Sequence, residues 1–469
     1  MGTPDVHRRW RGLRWSATAA LAGALMCVPA ATATVAEPGA SPPAPADVQP
    51  TPPAPDTQAA PAPASPAAEA ALREETVEVA RQVVKDFPGD ANAHGLLGIV
   101  YNHYGRTAEA VECWQKCTEI DPRRADAYYG LAVIAQRKGE FQKAAQLWRK
   151  AEELDPTLRG LYIQYAETLQ DMGQWQEAIA AAEKAIAAGE GTLPVYLVLG
   201  KARLQLKEYD KALAAYEKAH QIRPNDARPL YGLATTYARL GQADKARQYM
   251  EQFARLRDAE DKTAVKEHQV PDDGSDDRAW GTVFLATTCT DAGGLYAVHG
   301  NLAKAEEHWR RAAALDPRNL KCRQGLAQLY TQTGRPQQAL AACNELRALA
   351  PKDAAVHLNV GALLARLRLY DAAEEAARRG LELAPGHAAG YRLLAEVLLL
   401  RGQKADEAKT LAGKLVELQP TATHYGMLGE ACLRAGDVAG ARAAVQRAMQ
   451  LEPDNAAIKA IYDRLGTKE

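Results

Sequence analysis

The sequence predicts an all-α fold: a helix-turn-helix solenoid of about ten units in two blocks, with a capping helix at each end. Three observations carry that prediction. First, Asp-Pro and related prolines fall on a ruler of 34 residues. Pro88, Pro122, Pro156 and Pro224 lie on it, as do Pro317, Pro351, Pro385 and Pro453 after one break. Second, whole phrases recur in phase: GEFQKAAQLWRKAEELDP at 139–156 returns as GNLAKAEEHWRRAAALDP at 300–317. Third, hydrophobic residues make up 47% of the chain, much of it Ala, and there are only 4 Phe. Small side chains in such numbers suit helices in close contact rather than a bulky sheet core.

In chain order, residues 1–36 open with four arginines against one aspartate, then run uncharged from Trp15 to Ala36 through ALAGALMCV and PAATATVA. Basic, apolar and small-residue regions in that order predict a secretory signal cleaved after Ala33 or Ala36. An uncleaved N-terminal membrane anchor is the alternative, since the run is just long enough to span. The paired Arg8 and Arg9 match a twin-arginine signal poorly, and Cys27 follows Met26 rather than a small residue. Residues 37–66 hold 11 of the 26 prolines, interleaved with Ala, and predict a disordered spacer. The first block, 67–258, is expected to contain a cap helix and five units. A charged connector is expected at 259–278, and 279–469 is expected to hold five further units and a closing helix.

Units counted from 91, 125, 159, 193, 227, 286, 320, 354, 388 and 422 agree position by position. The eighth residue is Gly or Ala in every unit, from Gly98 to Gly429. The twentieth is Ala in nine of them; the exception, Glu407, precedes Ala408 and marks a one-residue insertion. Tiny residues there allow two helices to cross closely. Gly at the fifteenth, as at Gly105 and Gly300, supplies the left-handed residue where the first helix ends. Large rings at the twenty-fourth (Trp114, Trp148, Tyr216, Trp309) fill the space between units, and Pro at the thirty-second closes the second helix. After the break, Trp280, Val283, Phe284, Thr287, Asp291 and Leu295 recur at helical spacing and predict a first helix of roughly 20 residues.

This pattern resembles the tetratricopeptide repeat family over about 91–258 and 286–455. The resemblance implies a right-handed superhelix with a concave groove lined by positions 2, 5, 9, 12 and 13 of the first helices. It implies protein or peptide partners and is silent on which ones, because the family is defined by packing positions.

Chemistry is hard to place. Serine occurs only at 16, 41, 65 and 275, outside the repeats, so a serine nucleophile has no folded setting. No phosphate-binding glycine loop, HExxH or CxxC occurs. DDGSDD at 272–277 lacks the alternation of a calcium loop. Cys117, Cys343 and Cys432 fall on packing positions. The chain carries −1 overall, and residues 1–36 carry +3, so the remainder is at −4 and offers no basic field for nucleic acid. The expectation is a non-enzymatic protein-interaction scaffold without cofactor, metal or small-molecule substrate. It is expected to be exported and periplasmic, where a membrane-associated complex is one setting for it. A dedicated subunit of an envelope-assembly or exopolysaccharide-export machine is the alternative. The groove residues expected to hold a partner are Tyr129, Val133, Arg137, Tyr231 and Arg239: guanidinium forks for carboxylates, with aromatic and apolar surface. No unit pairs Lys at position 5 with Asn at position 9, which disfavours capture of a terminal carboxylate.

Overall fold

The computed structural model describes residues 66–269 and 275–466. The expected signal at 1–36, the Pro/Ala-rich stretch up to 65, and residues 270–274 lie outside them. Every described element is a helix. A lone helix, α1 (Pro66–Asp86), precedes the pairs. Five pairs come next: α2 (Ala91–His103) with α3 (Thr107–Ile120), α4 (Ala125–Arg137) with α5 (Phe141–Leu154), α6 (Leu161–Asp171) with α7 (Trp175–Ala187), α8 (Leu193–Gln205) with α9 (Tyr209–Ile222), and α10 (Ala227–Arg239) with α11 (Ala243–Gln269). The next first helix is α12 (Ser275–Val298), which precedes α13 (Leu302–Leu315). Four more pairs are α14 (Leu320–Gln332) with α15 (Pro336–Leu349), α16 (Ala354–Arg366) with α17 (Tyr370–Leu383), α18 (Ala388–Arg401) with α19 (Ala405–Leu418), and α20 (Ala422–Arg434) with α21 (Val438–Leu451). The last helix is α22 (Ala456–Gly466).

The chain divides into two compact units, one ending at Asp291 and the other beginning at Ala292. The division falls inside α12, whereas the sequence placed it in a connector at 259–278. The charged stretch instead prolongs α11 to 27 residues. Its Ala, Lys and Glu are good helix formers, and no Gly or Pro interrupts it before Pro271. The expected long first helix is α12, at 24 residues.

Within each unit the two helices of a pair pack against each other, and each second helix packs on the next first helix. First helices also touch the following first helix: α2 with α4, α4 with α6, α6 with α8 and α8 with α10; in the other unit, α14 with α16, α16 with α18 and α18 with α20. Second helices make no such contact with one another among the described residues. The first helices therefore crowd the inner side of each unit's curve, and the second helices fan out on its outer side.

The turn inside each pair repeats one geometry. The sixteenth residue donates its N–H to the eleventh carbonyl, as in Arg106 to Tyr101 (2.8 Å), Glu140 to Ala135 (2.9 Å) and Asn301 to Tyr296 (2.8 Å). That closure needs a left-handed fifteenth residue. Gly105, Gly139, Gly173, Gly241, Gly300, Gly334, Gly402 and Gly436 all have φ between 66 and 79°. Lys207 (φ 64°) and Arg368 (φ 60°) take the same conformation without glycine's freedom. The turn outweighs the local steric cost.

The small residues have a more specific cause than close helix crossing alone. A Cβ on Gly98 would lie 2.7 Å from the Trp114 ring, and one on Gly130 would lie 2.4 Å from its other part. Each ring at position 24 is thus seated between position 8 of its own unit and position 6 of the next. Tyr216 sits this way between Gly200 and Gly232, and Trp309 between Gly293 and Gly325. Around Trp148 those two positions are Ala132 and Gln164 rather than glycines, and its indole Nε1 donates to Thr168 Oγ1 at 3.0 Å.

The one-residue insertion in the ninth repeat is held by charge. Lys404, at φ 54°, precedes α19, and its Nζ donates to Glu374 Oε1 at 2.6 Å. Arg378 and Arg401 reach the same buried carboxylate at 2.8 and 3.0 Å. Burial alone would raise the Glu374 pKa; hydrogen bonds from Lys404 and Arg378 hold it below its ordinary value.

Candidate protein-binding surface

The first helices expose their fifth, ninth and thirteenth positions on the inner side only where the next helix leaves them uncovered. Tyr129 and Val133, expected in the groove, are core residues at 5% and 1% exposure. The Tyr129 ring meets the Trp148 ring edge-on, with centroids 4.8 Å apart. Its hydroxyl lies 3.2 Å from where a Cβ on Gly160 would be, at the start of α6. Burial raises the Tyr129 pKa, with Glu190 and Glu167 adding to it. The next unit therefore covers these two residues, and they offer nothing to a partner. Period alone marks a face, and curvature decides how much of that face the neighbour covers.

Tyr231, on α10 and at the same fifth position, is 53% exposed. Its ring lies 5.5 Å from Phe253 of α11 at a tilt of 51°. Arg239, eight residues on, is exposed and has no ion pair among the described residues. Arg137 keeps an exposed edge, but it donates to Asn102 Oδ1 of the preceding unit at 3.0 Å, and burial lowers its pKa. It braces two neighbouring repeats. In the second unit, Arg434 is bound to Glu430 at 2.8 Å and to the Leu399 carbonyl. The structure thus places Tyr231 and Arg239 at exposed positions of one largely buried helix, α10, and does not join them to Tyr129 and Val133.

The second unit also has an open depression of about 780 Å³ on the side of its second helices, lined by Arg347, Arg378 and Arg379. Its guanidinium groups are already matched: Arg347 to Glu375, Arg378 to Glu374 and Arg379 to Glu382, at 3.0, 2.8 and 2.9 Å. No group of three or more His, Cys, Asp or Glu side chains among the described residues could hold a metal ion. All six cysteines from Cys113 to Cys432 are buried thiols outside any disulfide, and burial raises the thiol pKa of Cys113, Cys322 and Cys343 to about 11.

Models described as tetratricopeptide repeat match residues 157–225, 203–260, 299–367 and 398–456. The chain belongs to the tetratricopeptide repeat family. A model described as anaphase-promoting complex, cyclosome, subunit 3 also matches residues 103–185. No curated protein matches the chain. Among solved structures, MamA from Desulfovibrio magneticus RS-1 is 18% identical, with 36% of this chain and 97% of that chain covered and a TM-score of 0.35. YrrB, a repeat protein of the family with an unusual peptide-binding site, is 22% identical over 45% of this chain and 96% of its own, with a TM-score of 0.29. Yeast Tom70 is 14% identical over 80% and 95%, with a TM-score of 0.32. The tetratricopeptide chain has the architecture of a protein-interaction scaffold.

Proposed function

We propose that this tetratricopeptide protein is a non-enzymatic scaffold that holds a partner segment against the inner side of its first unit, with α10 as the anchor. The observation that carries this reading is the pairing of an exposed aromatic ring, Tyr231, with an exposed guanidinium that has no ion pair among the described residues, Arg239, on one helix. Eight residues of helix separate them by about 12 Å. An extended chain advances about 3.3–3.6 Å per residue, so one apolar and one acidic residue roughly three to four positions apart would reach both. Arg grips a carboxylate with two parallel hydrogen bonds, and Tyr supplies contact area at small entropic cost. The double variant Tyr231→Ala with Arg239→Ala should reduce capture of the native partner by at least about tenfold, the loss of two anchor side chains. Because both side chains are exposed, the melting temperature should stay within a degree or two. Undiminished capture would remove α10 from consideration.

Export is part of the proposal and is supported by the order of charge, apolarity and small residues at 1–36. Mass spectrometry of the native N-terminus should find a chain starting after Ala33 or Ala36. An intact Met1 or Gly2 on the envelope-bound protein would favour the anchor. A subunit of an envelope-assembly or exopolysaccharide-export machine is the narrower form of the same reading. It requires that the captured partner be a component of such a machine.

A further inference from the structure

Phe284 lies 181 residues from His103 in sequence, yet the two rings stack with centroids 3.7 Å apart and planes 19° from parallel. Phe284 also meets Tyr104 edge-on at 5.8 Å. Three residues earlier on α12, a Cβ on Gly281 would lie 3.8 Å from Leu72 Cδ1 of α1. The first half of α12 therefore rests on α1 and on the C-terminal end of α2, across the thirteenth position of the first repeat. Both partners of each contact belong to the unit that ends at Asp291.

Residues 279–291 of α12 are weakly helical by composition. Gly281, Thr282, Val283, Thr287, Thr288 and Thr290 are all poor helix formers. Thr287, Thr288 and Thr290 turn their hydroxyls back onto the carbonyls of Val283, Phe284 and Ala286, at 2.9, 3.0 and 2.7 Å. Such back-bonding slightly weakens a helix. Trp280 and Val283 stay 43% and 46% exposed on its outer side. Packing on α1 and α2, rather than intrinsic preference, keeps these residues helical. The His103 ring carries Phe284 stacked upon it, and desolvation lowers its pKa to about 4.

We propose that residues 279–291 form a displaceable strap, an internal occupant of the Leu72–His103–Tyr104 surface, which a partner helix carrying an aromatic residue would take over. Occupation by a segment of the chain itself shows what that surface accepts: an amphipathic helix with one ring laid flat on an imidazole. The proposal rests on reading the inner side of the first unit as a binding surface, but its test uses the chain's own sequence. Failure of the α10 experiment would therefore leave this one standing.

The test uses a fluorescein-labelled peptide of residues 275–291 under reducing conditions, followed by anisotropy against the full chain. The Phe284→Ala chain, with its strap released, should bind the peptide at least about tenfold more tightly than the wild type, whose surface is filled. A Phe284→Ala peptide should bind neither. In the wild-type chain, amides of 282–291 should exchange with deuterium at least about 100-fold faster than those of α2 and α4, by local opening. Equal binding by the two chains, or protection of 282–291 equal to that of α2, would overturn the proposal. So would loss of the cooperative melt in the Phe284→Ala chain, because a strap is dispensable to the repeats beneath it.

Discussion

The same substitution, Gly to Ala inside a helix, should change stability in opposite directions at Gly130 and Gly413. In either helix, Ala gains about 1 kcal/mol of intrinsic preference over Gly. Gly413 lies mid-way along α19 with no atom within 4 Å of the new methyl group, so that gain stands alone. At Gly130 the new Cβ would lie 2.4, 2.6 and 2.6 Å from three atoms of the Trp114 ring. Carbon atoms prefer about 3.5–4.0 Å, so the ring must retreat by more than about 1 Å. It has nowhere to go. Trp114 is buried, and α2 backs its far side so closely that a Cβ on Gly98 would lie 2.7 Å away. Overpacking of this kind costs about 1–3 kcal/mol, and so rigid a clash belongs at the upper end. After the helix gain, Gly130→Ala should destabilise by about 2 kcal/mol. Urea unfolding followed by circular dichroism and tryptophan fluorescence measures both midpoints. A double variant with Trp114→Leu should recover most of the loss, since the obstacle is then flexible. Midpoints that move in the same direction for both glycines would refute the seating of the ring.

Three further outcomes rest on the same packing and turn geometry. Lys207→Gly and Arg368→Gly should each stabilise by about 0.5–1 kcal/mol, because relief of a left-handed L-residue exceeds glycine's added chain entropy; a lower melting temperature for both would contradict the turn geometry. Ala144→Arg should destabilise by at least about 3 kcal/mol, since Ala144 is fully buried and a guanidinium there would be overpacked and unpaired; a melt within a degree or two of the wild type would contradict the assigned register. Glu374→Gln should cost about 1–3 kcal/mol at pH 7, less than a fully buried pair because its three cations are partly exposed. The folded pKa of Glu374 lies below its ordinary 4.5, so its contribution is present above that pH and is lost as pH falls through the folded value. The gap between wild type and Glu374→Gln in urea should therefore close in acid, and a gap that stayed constant to pH 3 would discount the cluster.

The helix pairs and their phase were legible because packing in this fold is local and repeats. Pro, Gly and Ala recur where a helix ends, a chain reverses or a ring is seated. The surface was less legible. Tyr129 and Tyr231 share a position in their units, yet one is core and the other exposed, because cover depends on how the next unit along the chain packs. The left-handed conformation of Lys207 and Arg368 was hidden for a related reason, since the demand comes from the turn and not from the residue. The contact of Phe284 with His103 joins residues 181 apart, and no local pattern announces it. The spacing of Trp280, Val283 and Phe284 marked a helix but not the surface it would lie on.

The glycine-seated rings also bear on how the molecule would respond to force. A ring held between position 8 of one repeat and position 6 of the next acts as a rivet between neighbours. Trp114, Tyr216 and Trp309 are such rivets, and Trp148 is held instead by its bond to Thr168. From the seventh repeat onward, position 24 and its shifted equivalent hold Cys343, Ala377, Ala412 and Val445, none of them a ring. Pulled from the C-terminal end in an optical trap, the chain should peel away its last repeats in small, low-force steps. It should then resist at Trp309, where the first rivet met from that end must tear out of its seat.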